Sequence, residues 1–155
     1  ACAIFALPPF HGGGRREMVC RPKAYGFDTG FVSFVRGWYD IRDDDRGLLW
    51  EHLVLDGLRS ATGTESLFYW RDKSGREVDF VVRRGRAIHA VECKINPDRF
   101  DPESLMVFRG LYPQGRNYLV CPGIEEPYER RFDKLILRIT SFQGLLRELG
   151  DDFGP

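Results

Sequence analysis

Apolar residues recur along this chain with two periods, and together they predict a sheet packed against helices. Over residues 47–59 leucines and valines return every three to four positions, and a segment rich in helix breakers follows at 60–63, which predicts an amphipathic helix. Elsewhere, short apolar or alternating runs bounded by Gly, Pro, Asp and Ser are typical of strands. The predicted strands cover residues 2–7, 23–27, 66–71, 76–83, 87–95, 117–121 and 135–139.

Three further helices are predicted from apolar side chains at helical spacing. They cover residues 30–38, a segment opened by 101–103 that stops before Pro113, and residues 142–149. The acidic run 43–45 predicts a turn and a possible helix cap, and the charged segment 122–134 is predicted to be a loop. Because three of the strands follow one another closely between residues 66 and 95, we expect them to form an antiparallel meander within one α/β domain.

Composition narrows the class of protein. The chain has 155 residues, enough for one domain, and its 23 basic residues equal its 23 acidic ones, so any attraction to nucleic acid must come from local patches. The four cysteines include no CxxC pair, which favours reduced thiols and a cytoplasmic location. No apolar run reaches the roughly 20 residues of a membrane helix. Because the chain starts at Ala1 and enters a strand almost at once, we expect a fragment of a longer protein.

The turn between the second and third meander strands predicts which side chains meet. With Gly85 as the first central residue of a type II′ turn, Asp79 lies directly opposite Glu92 and Lys94 projects from the same face. Opposed Cβ atoms lie only about 5 Å apart, so the two carboxylates repel unless a proton or cation lies between them. Glu77 would pair with Lys94 in this register. It could neutralise the lysine, which would give part of this cluster a purely structural role. The opposite, core face is predicted to carry residues 78, 80, 82, 91, 93 and 95.

Carboxylates placed in this way suit Mg²⁺ or Mn²⁺, since Mg²⁺ takes one or two protein carboxylates while water and substrate phosphate fill the other positions. A neighbouring lysine can orient the attacking water and stabilise charge developing on a phosphodiester. Asp79, Glu92 and Lys94 therefore form a candidate catalytic site, with the two acids as metal ligands. The alternative is an ordinary surface ion pair, because opposite charges at alternate strand positions are common.

Glu51 is a second, independent candidate. Its neighbours at helical spacing on the 47–59 helix are leucines and a valine, and a carboxylate on an apolar stripe needs a partner. A helix packed on the hairpin would bring Glu51 to Asp79 and Glu92 as a further metal ligand or catalytic residue. A structural ion pair is the equal alternative. The adjacent His52 is predicted to be a surface or boundary residue and no ligand.

A basic rim with an aromatic residue is expected beside the hairpin. Arg71, Lys73 and Arg76, next to Trp70, are candidate contacts for nucleic-acid phosphates. Charges that keep a sheet edge from aggregating are the alternative. The sequence contains no GxxxxGK[ST] phosphate loop and no GxSxG motif, so ATP hydrolysis and serine-nucleophile chemistry are not expected of this chain.

Taken together, these residues resemble a known family, the C-terminal domain of unknown function attached to many prokaryotic AAA-type ATPases. The segments that carry the resemblance are 22–30, 47–54, 69–72, 77–81 and 91–94. The resemblance implies a PD-(D/E)XK fold, in which Asp79, Glu92 and Lys94 correspond to the metal and catalytic positions and Glu51 to the acidic residue of the helix. The ATPase module and winged-helix segment that precede such domains are not in this sequence.

The sequence thus predicts a single restriction-endonuclease-like domain over residues 1–155, with a mixed sheet and a central antiparallel meander flanked by helices. An N-terminal strand pair and loop occupy 1–28, and the motif-bearing core occupies 47–121. The leading hypothesis is a Mg²⁺-dependent or Mn²⁺-dependent nuclease acting on DNA, with an upstream AAA-type ATPase module as its partner. The alternative is a non-catalytic module of that ATPase that binds DNA or docks proteins.

Overall fold

The computed structural model describes residues 4–12, 21–26, 30, 37 and 43–151. Apart from Gly30 and Gly37, the helix predicted at 30–38 lies outside these described residues. Short 3-10 turns at Thr64–Ser66 and Pro97–Arg99 join some of the elements. The strands and helices of the described residues are β1 Ile4–Leu7, β2 Lys23–Gly26, α1 Asp43–Thr62, β3 Leu67–Arg71, β4 Glu77–Arg84, β5 Ala87–Cys93, α2 Glu103–Leu111, β6 Asn117–Val120, β7 Tyr128–Phe132, β8 Leu135–Thr140 and α3 Phe142–Asp151.

A six-stranded mixed sheet is the centre of the fold, with strand order β3-β4-β5-β6-β8-β7. The pairs β5/β6 and β6/β8 are parallel, and the other neighbours are antiparallel. The predicted α/β class is therefore confirmed, and the predicted meander β3-β4-β5 makes up one half of the sheet. The loop predicted at 122–134 is wrong in part, because β7 lies there as an edge strand whose largely exposed, charged side chains hide its strand pattern.

Helices cover both faces of this sheet and create two cores. On one face, buried residues of α1 and α3 such as Leu55, Leu58 and Leu145 pack against the sheet. On the other face, Leu105 and Phe108 of α2 do the same. Strands that are buried on both faces lose the simple alternation of apolar and polar residues, which is why the three residues of β6 after Asn117 are all apolar.

A β-bulge in β4 lies where the candidate site begins. Phe68 pairs with Val81 and Trp70 with Val78, so the single residue Tyr69 faces both Asp79 and Phe80. Because of the extra residue, side chains of β4 that would otherwise share one face of the sheet point to opposite faces before and after the bulge. Val78 packs in the core beside α2, whereas Phe80 packs in the core beside α1. The prediction that Val78 and Phe80 share one face is therefore wrong.

Helix α1 carries the predicted Glu51 and is longer than predicted. It begins at Asp43 rather than near residue 47, so residues 43–45 are helical instead of the predicted turn with a possible cap, and Asp45 lies in the first helical turn, where a carboxylate is favourable. It ends before Gly63, whose φ of 75° suits a glycine and whose amide donates to Arg59 O at 3.1 Å. Although α1 has 20 residues, no helix among the described residues has the length and apolar composition required to cross a membrane.

The N-terminal strand pair is joined to the main sheet along β3. Tyr69 N donates to Pro8 O at 3.1 Å, and Phe10 N donates to Tyr69 O at 2.7 Å, so the residues after β1 cover the outer edge of β3. The hydroxyl of Tyr69 also donates to Arg21 O at 2.5 Å. These bonds hold β2 in a defined position over the bulge of β4.

Gly115, which precedes β6, provides a test of this packing. Its φ is 125°, and a Cβ added there would lie 2.1 Å from Ile88 O of β5. We expect Gly115→Ala to lower the free energy of unfolding by at least about 2 kcal/mol, because both the backbone conformation and the close approach are lost. Urea denaturation followed by circular dichroism measures the change.

Gly110→Ala in α2 is the matched control, because no described atom lies within 4 Å of the added Cβ. Alanine favours a helix by up to about 1 kcal/mol over glycine, so this variant should be as stable as the wild type or slightly more stable. Similar destabilisation by the two substitutions would contradict the described approach of Gly115 to β5.

Candidate active site

The register of the β4/β5 hairpin places Asp79 at the end of its ladder. Arg84 pairs with Ala87, as predicted from the turn, and the ladder continues as far as Phe80 with Val91. One residue further on, at the bulge, Asp79 Oδ2 accepts a hydrogen bond from the backbone amide of Cys93 at 2.9 Å. The Asp79 side chain therefore replaces a backbone partner of β5 and is held in place by it.

Asp79 and Glu92 come close to each other here, although the described ladder ends at Phe80 with Val91 and does not include the predicted direct pair. The two carboxyl groups lie close enough for the charge of Asp79 to act on Glu92, which is only 6% exposed, while Asp79 is half-buried. Burial raises the pKa of Asp79 to about 6, and the negative charge of Glu51 adds to this effect. Burial, together with the charge of Asp79, also raises the pKa of Glu92 well above its ordinary value. Two desolvated acids this close together favour either a shared proton or a cation between them.

Lys94 supplies a positive charge to the pair from the residue after β5. Its Nζ lies 3.6 Å from Glu92 Oε2, and its backbone amide donates to Val120 O at 3.2 Å. Burial opposes the charge on Lys94, but the carboxylates of Asp79 and Glu92 outweigh that effect and raise its pKa. The predicted triad of Asp79, Glu92 and Lys94 is thus brought together by two adjacent strands.

Glu51 reaches the same region from α1 and is held there by cationic and hydroxyl partners. Its Oε1 accepts from Lys23 Nζ at 2.7 Å and from Tyr25 OH at 2.5 Å. The neighbouring Trp50 Nε1 donates to Val120 O at 2.9 Å, which fixes this part of α1 at the end of β6. Of the two uses foreseen for Glu51, the structure shows the structural ion pair, and Glu51 remains close enough to raise the pKa of Asp79.

Glu77 has partners other than the one predicted from the hairpin register. Its Oε1 accepts from Lys23 Nζ at 2.6 Å, and its Oε2 accepts from Arg71 Nε at 2.6 Å. The ion pair described for Lys94 is with Glu92. The expected pairing of Glu77 with Lys94 is therefore wrong, because β2 lies over the end of β4 and delivers a second lysine to Glu77.

The sequence interpretation did not assign a role to Lys23 or Tyr25. Both are on β2, two positions apart, so they project from the same face of the strand. Tyr25 is 2% exposed, and burial, followed by the charge of Glu51, raises its pKa. A lysine and a tyrosine alternating in a short strand were a local signal, but nothing in the sequence identified their acidic partners.

A cleft of about 570 Å³ opens beside the site. Acidic and basic side chains share its lining, which includes Arg46, Glu51, Asp79, Lys94 and Arg99. In the part of the chain that the structure describes, no group of three or more His, Cys, Asp or Glu side chains is placed to hold a metal ion. As described, then, the site offers a pair of carboxyls rather than a cluster of three.

The residues of the predicted basic rim are placed differently from the prediction. Trp70 is fully buried, so it does not stand beside the arginines as a surface aromatic. Arg71 pairs with Glu77, and Arg76 pairs with Asp72 at 2.6 Å. Both guanidinium groups therefore form ion pairs with acids close to the turn between β3 and β4. Lys73 lies exposed in the turn between β3 and β4.

His52 is buried rather than on the surface or at its boundary, with 6% of its area exposed. Its Nδ1 lies 2.9 Å from Leu48 O, and its Nε2 accepts from the amide of Gly26 at 3.3 Å. These partners assign the proton to Nδ1 and use both ring nitrogens. His52 therefore helps to hold β2 against α1, and the prediction of its exposure is wrong.

The raised pKa of Asp79 generates a prediction about stability. The folded protein holds this proton up to about pH 6, whereas an unfolded aspartate releases it near pH 4. The contribution is therefore complete below pH 4 and is lost as the pH rises through 6. Urea denaturation of the wild type and of Asp79→Asn should give free energies of unfolding whose difference changes by on the order of 2 kcal/mol between pH 4 and 7, to the disadvantage of the wild type.

Lys94→Met is the control for this measurement. Its ammonium lowers the pKa of Asp79, so removing it should move the midpoint of the pH dependence upward. A difference between wild type and Asp79→Asn that stays constant from pH 4 to pH 8 would show that Asp79 is not desolvated as described.

Comparison with known proteins shows a family to which this chain is similar. Residues 46–142 match the family described as Domain of unknown function (DUF4143), and this segment contains Glu51, Asp79, Glu92 and Lys94 but not Lys23 or Tyr25. No curated protein sequence matches the chain. Because the matched segment covers more than half of the 155 residues, the chain belongs to the family of domains of unknown function named DUF4143.

Proposed function

We propose that this chain is a nuclease-like domain of the PD-(D/E)XK type that acts on DNA phosphodiesters with a divalent ion, Mg²⁺ or Mn²⁺, held by Asp79 and Glu92. The observation that carries the proposal is that a buried Glu92 and a half-buried Asp79 lie close together, with the Lys94 ammonium 3.6 Å from Glu92. Holding like charges close together away from water is costly, and a fold that bears this cost beside a cleft lined by Asp79 and Lys94 favours a functional site over a structural pair.

The acidic pair fits a divalent ion in number and chemistry. Mg²⁺ usually takes one or two protein carboxylates and keeps several waters, so Asp79 and Glu92 suffice without a third acid. Glu51, whose Oε1 is held by Lys23 and Tyr25, is assigned no direct bond to the ion. A divalent ion bound there would polarise a phosphodiester oxygen and lower the pKa of a coordinated water.

The positive charges of the site have separate roles in this proposal. Lys94, 3.6 Å from Glu92, orients the attacking water and stabilises charge on the phosphate oxygens. Arg46 and Arg99 line the same cleft and are the candidates for binding the flanking phosphates. They take the place of the predicted Arg71 and Arg76, which are bound to acids of their own hairpin. Local cations of this kind are required because the whole chain has no net charge.

One observation favours a second candidate function. Glu51 is engaged by Lys23 and Tyr25, and the described residues contain no group of three acids. A non-catalytic module that retains the hairpin acids for stability, and that binds DNA or docks proteins for an upstream AAA-type ATPase, accommodates this arrangement equally well.

Cleavage of plasmid DNA separates the two functions. We expect the wild-type domain to nick plasmid in the presence of Mg²⁺ or Mn²⁺ and to stop when EDTA is added. Asp79→Asn and Lys94→Met should each lower the cleavage rate at least ~100-fold, because they remove a metal ligand and the cation that stabilises developing charge.

Lys134→Met is a matched control, since Lys134 is exposed at the far side of the sheet and lines a different cavity. It should cleave at the wild-type rate. Equal cleavage by the wild type, Asp79→Asn and Lys94→Met would assign the activity to a contaminant and leave the non-catalytic module as the function.

Metal binding gives a test that does not depend on finding the substrate. Isothermal titration with Mn²⁺ should show weak binding to the wild type that disappears in Glu92→Gln, because one of only two protein ligands loses its charge. Circular dichroism checks that the variant is folded. If Glu92→Gln binds Mn²⁺ as the wild type does, the ion sits elsewhere and the proposed site is wrong.

A further inference from the structure

Lys23 forms ion pairs with two acids near the site, and it lies outside the segment shared with the family. Its Nζ is 2.7 Å from Glu51 Oε1 and 2.6 Å from Glu77 Oε1. One ammonium therefore bridges a carboxylate of α1 and a carboxylate of β4. These acids are 28 and 54 residues away from Lys23 in the sequence, so only the folded chain brings the three together.

The bridge is partly buried and built from several directions. The Lys23 side chain is 24% exposed, and those of Glu51 and Glu77 are 17% and 20% exposed. Tyr25 donates its hydroxyl to the same Glu51 oxygen, and Arg71 binds the second oxygen of Glu77. Each acid thus has a fixed orientation in which one oxygen points at the position of the lysine nitrogen.

This position is a cation site adjoining the acidic pair. The charges of Glu51 and Lys23 both act on Asp79, so the bridge lies near the acidic pair. Without a positive charge between Glu51 and Glu77, their carboxylates would repel each other in a partly desolvated place. The protein supplies that charge as a lysine from β2.

We propose that Lys23 is a built-in counter-ion, which occupies the position between Glu51 and Glu77 that a second divalent ion would otherwise take. The inference rests on the proposed function for the ion at Asp79 and Glu92. It adds that the domain binds one divalent ion, not two, and that the N-terminal strand pair completes the site. Lys23 is accordingly a positioning residue: it orients Glu51 and touches neither ion nor substrate.

Counting bound ions tests the inference. Mn²⁺ is titrated into the full chain, and free Mn²⁺ is measured by electron paramagnetic resonance, so that no activity is needed. We expect one Mn²⁺ per wild-type chain and two per chain of Lys23→Met, because the removed ammonium leaves two oriented carboxylates that suit a hard cation. Adding Glu51→Gln to Lys23→Met should return the count to one.

Three further variants control for the charge at residue 23, for the fold and for the loss of a lysine elsewhere. Lys23→Gln loses the charge but retains an amide that can donate to both acids, so it protects the fold and should also bind two ions. Lys23→Arg keeps the charge and should bind one. Lys134→Met removes a lysine elsewhere and should also bind one. Circular dichroism verifies that each variant is folded.

The number of Mn²⁺ ions bound per chain distinguishes this inference from the proposed function. One ion in the wild type and one in both neutral Lys23 variants overturns the counter-ion role and leaves the Asp79–Glu92 site in place. Two ions in the wild type overturn it without any variant. No ion in the wild type, but one in Lys23→Met that Glu51→Gln removes, supports the counter-ion role and defeats the proposed function. No ion in any variant overturns both.

Discussion

The structure around the site depends on one electrostatic constraint, the approach of two desolvated carboxyls, Asp79 and Glu92. Like charges in a poorly hydrated place raise each other's pKa and cost stability unless protons or cations intervene. The β-bulge at Asp79 and Phe80 makes this approach possible, because it ends the regular ladder and lets the Asp79 carboxylate accept from the amide of Cys93. Negative charge is thus concentrated at one point of the sheet.

The surrounding elements compensate for this charge from two sides. Lys94 follows β5 directly and contacts Glu92, so the hairpin carries its own cation. Lys23 comes from a separate strand pair and neutralises Glu51 and Glu77. The first compensation is local and lies within the family segment, whereas the second depends on how the N-terminal strands dock on β3 and α1.

Local sequence patterns predicted helices and strands well where an element buries only one of its faces or where the residues of a turn favour one turn type. The meander, α2 and the C-terminal helix all lie close to their predicted positions. Prediction failed at β7, whose charged side chains masked an edge strand, and at Val78, because a bulge shifts the alternation by one residue. It failed also for Trp70 and His52, whose burial depends on packing that no local period records.

The sequence by itself determined the pairing of β4 with β5 from Arg84 with Ala87 to Phe80 with Val91, because a short hairpin with Gly85 in its turn sets its own register, and this pairing brings Asp79 near Glu92. It also placed Glu51 on a helix beside apolar neighbours. Which cation each acid receives was decided only by the tertiary structure. Lys23 reaches Glu51 and Glu77 across long stretches of chain, and contacts between residues so far apart arise from the docking of whole elements, which leaves no periodic trace in the sequence.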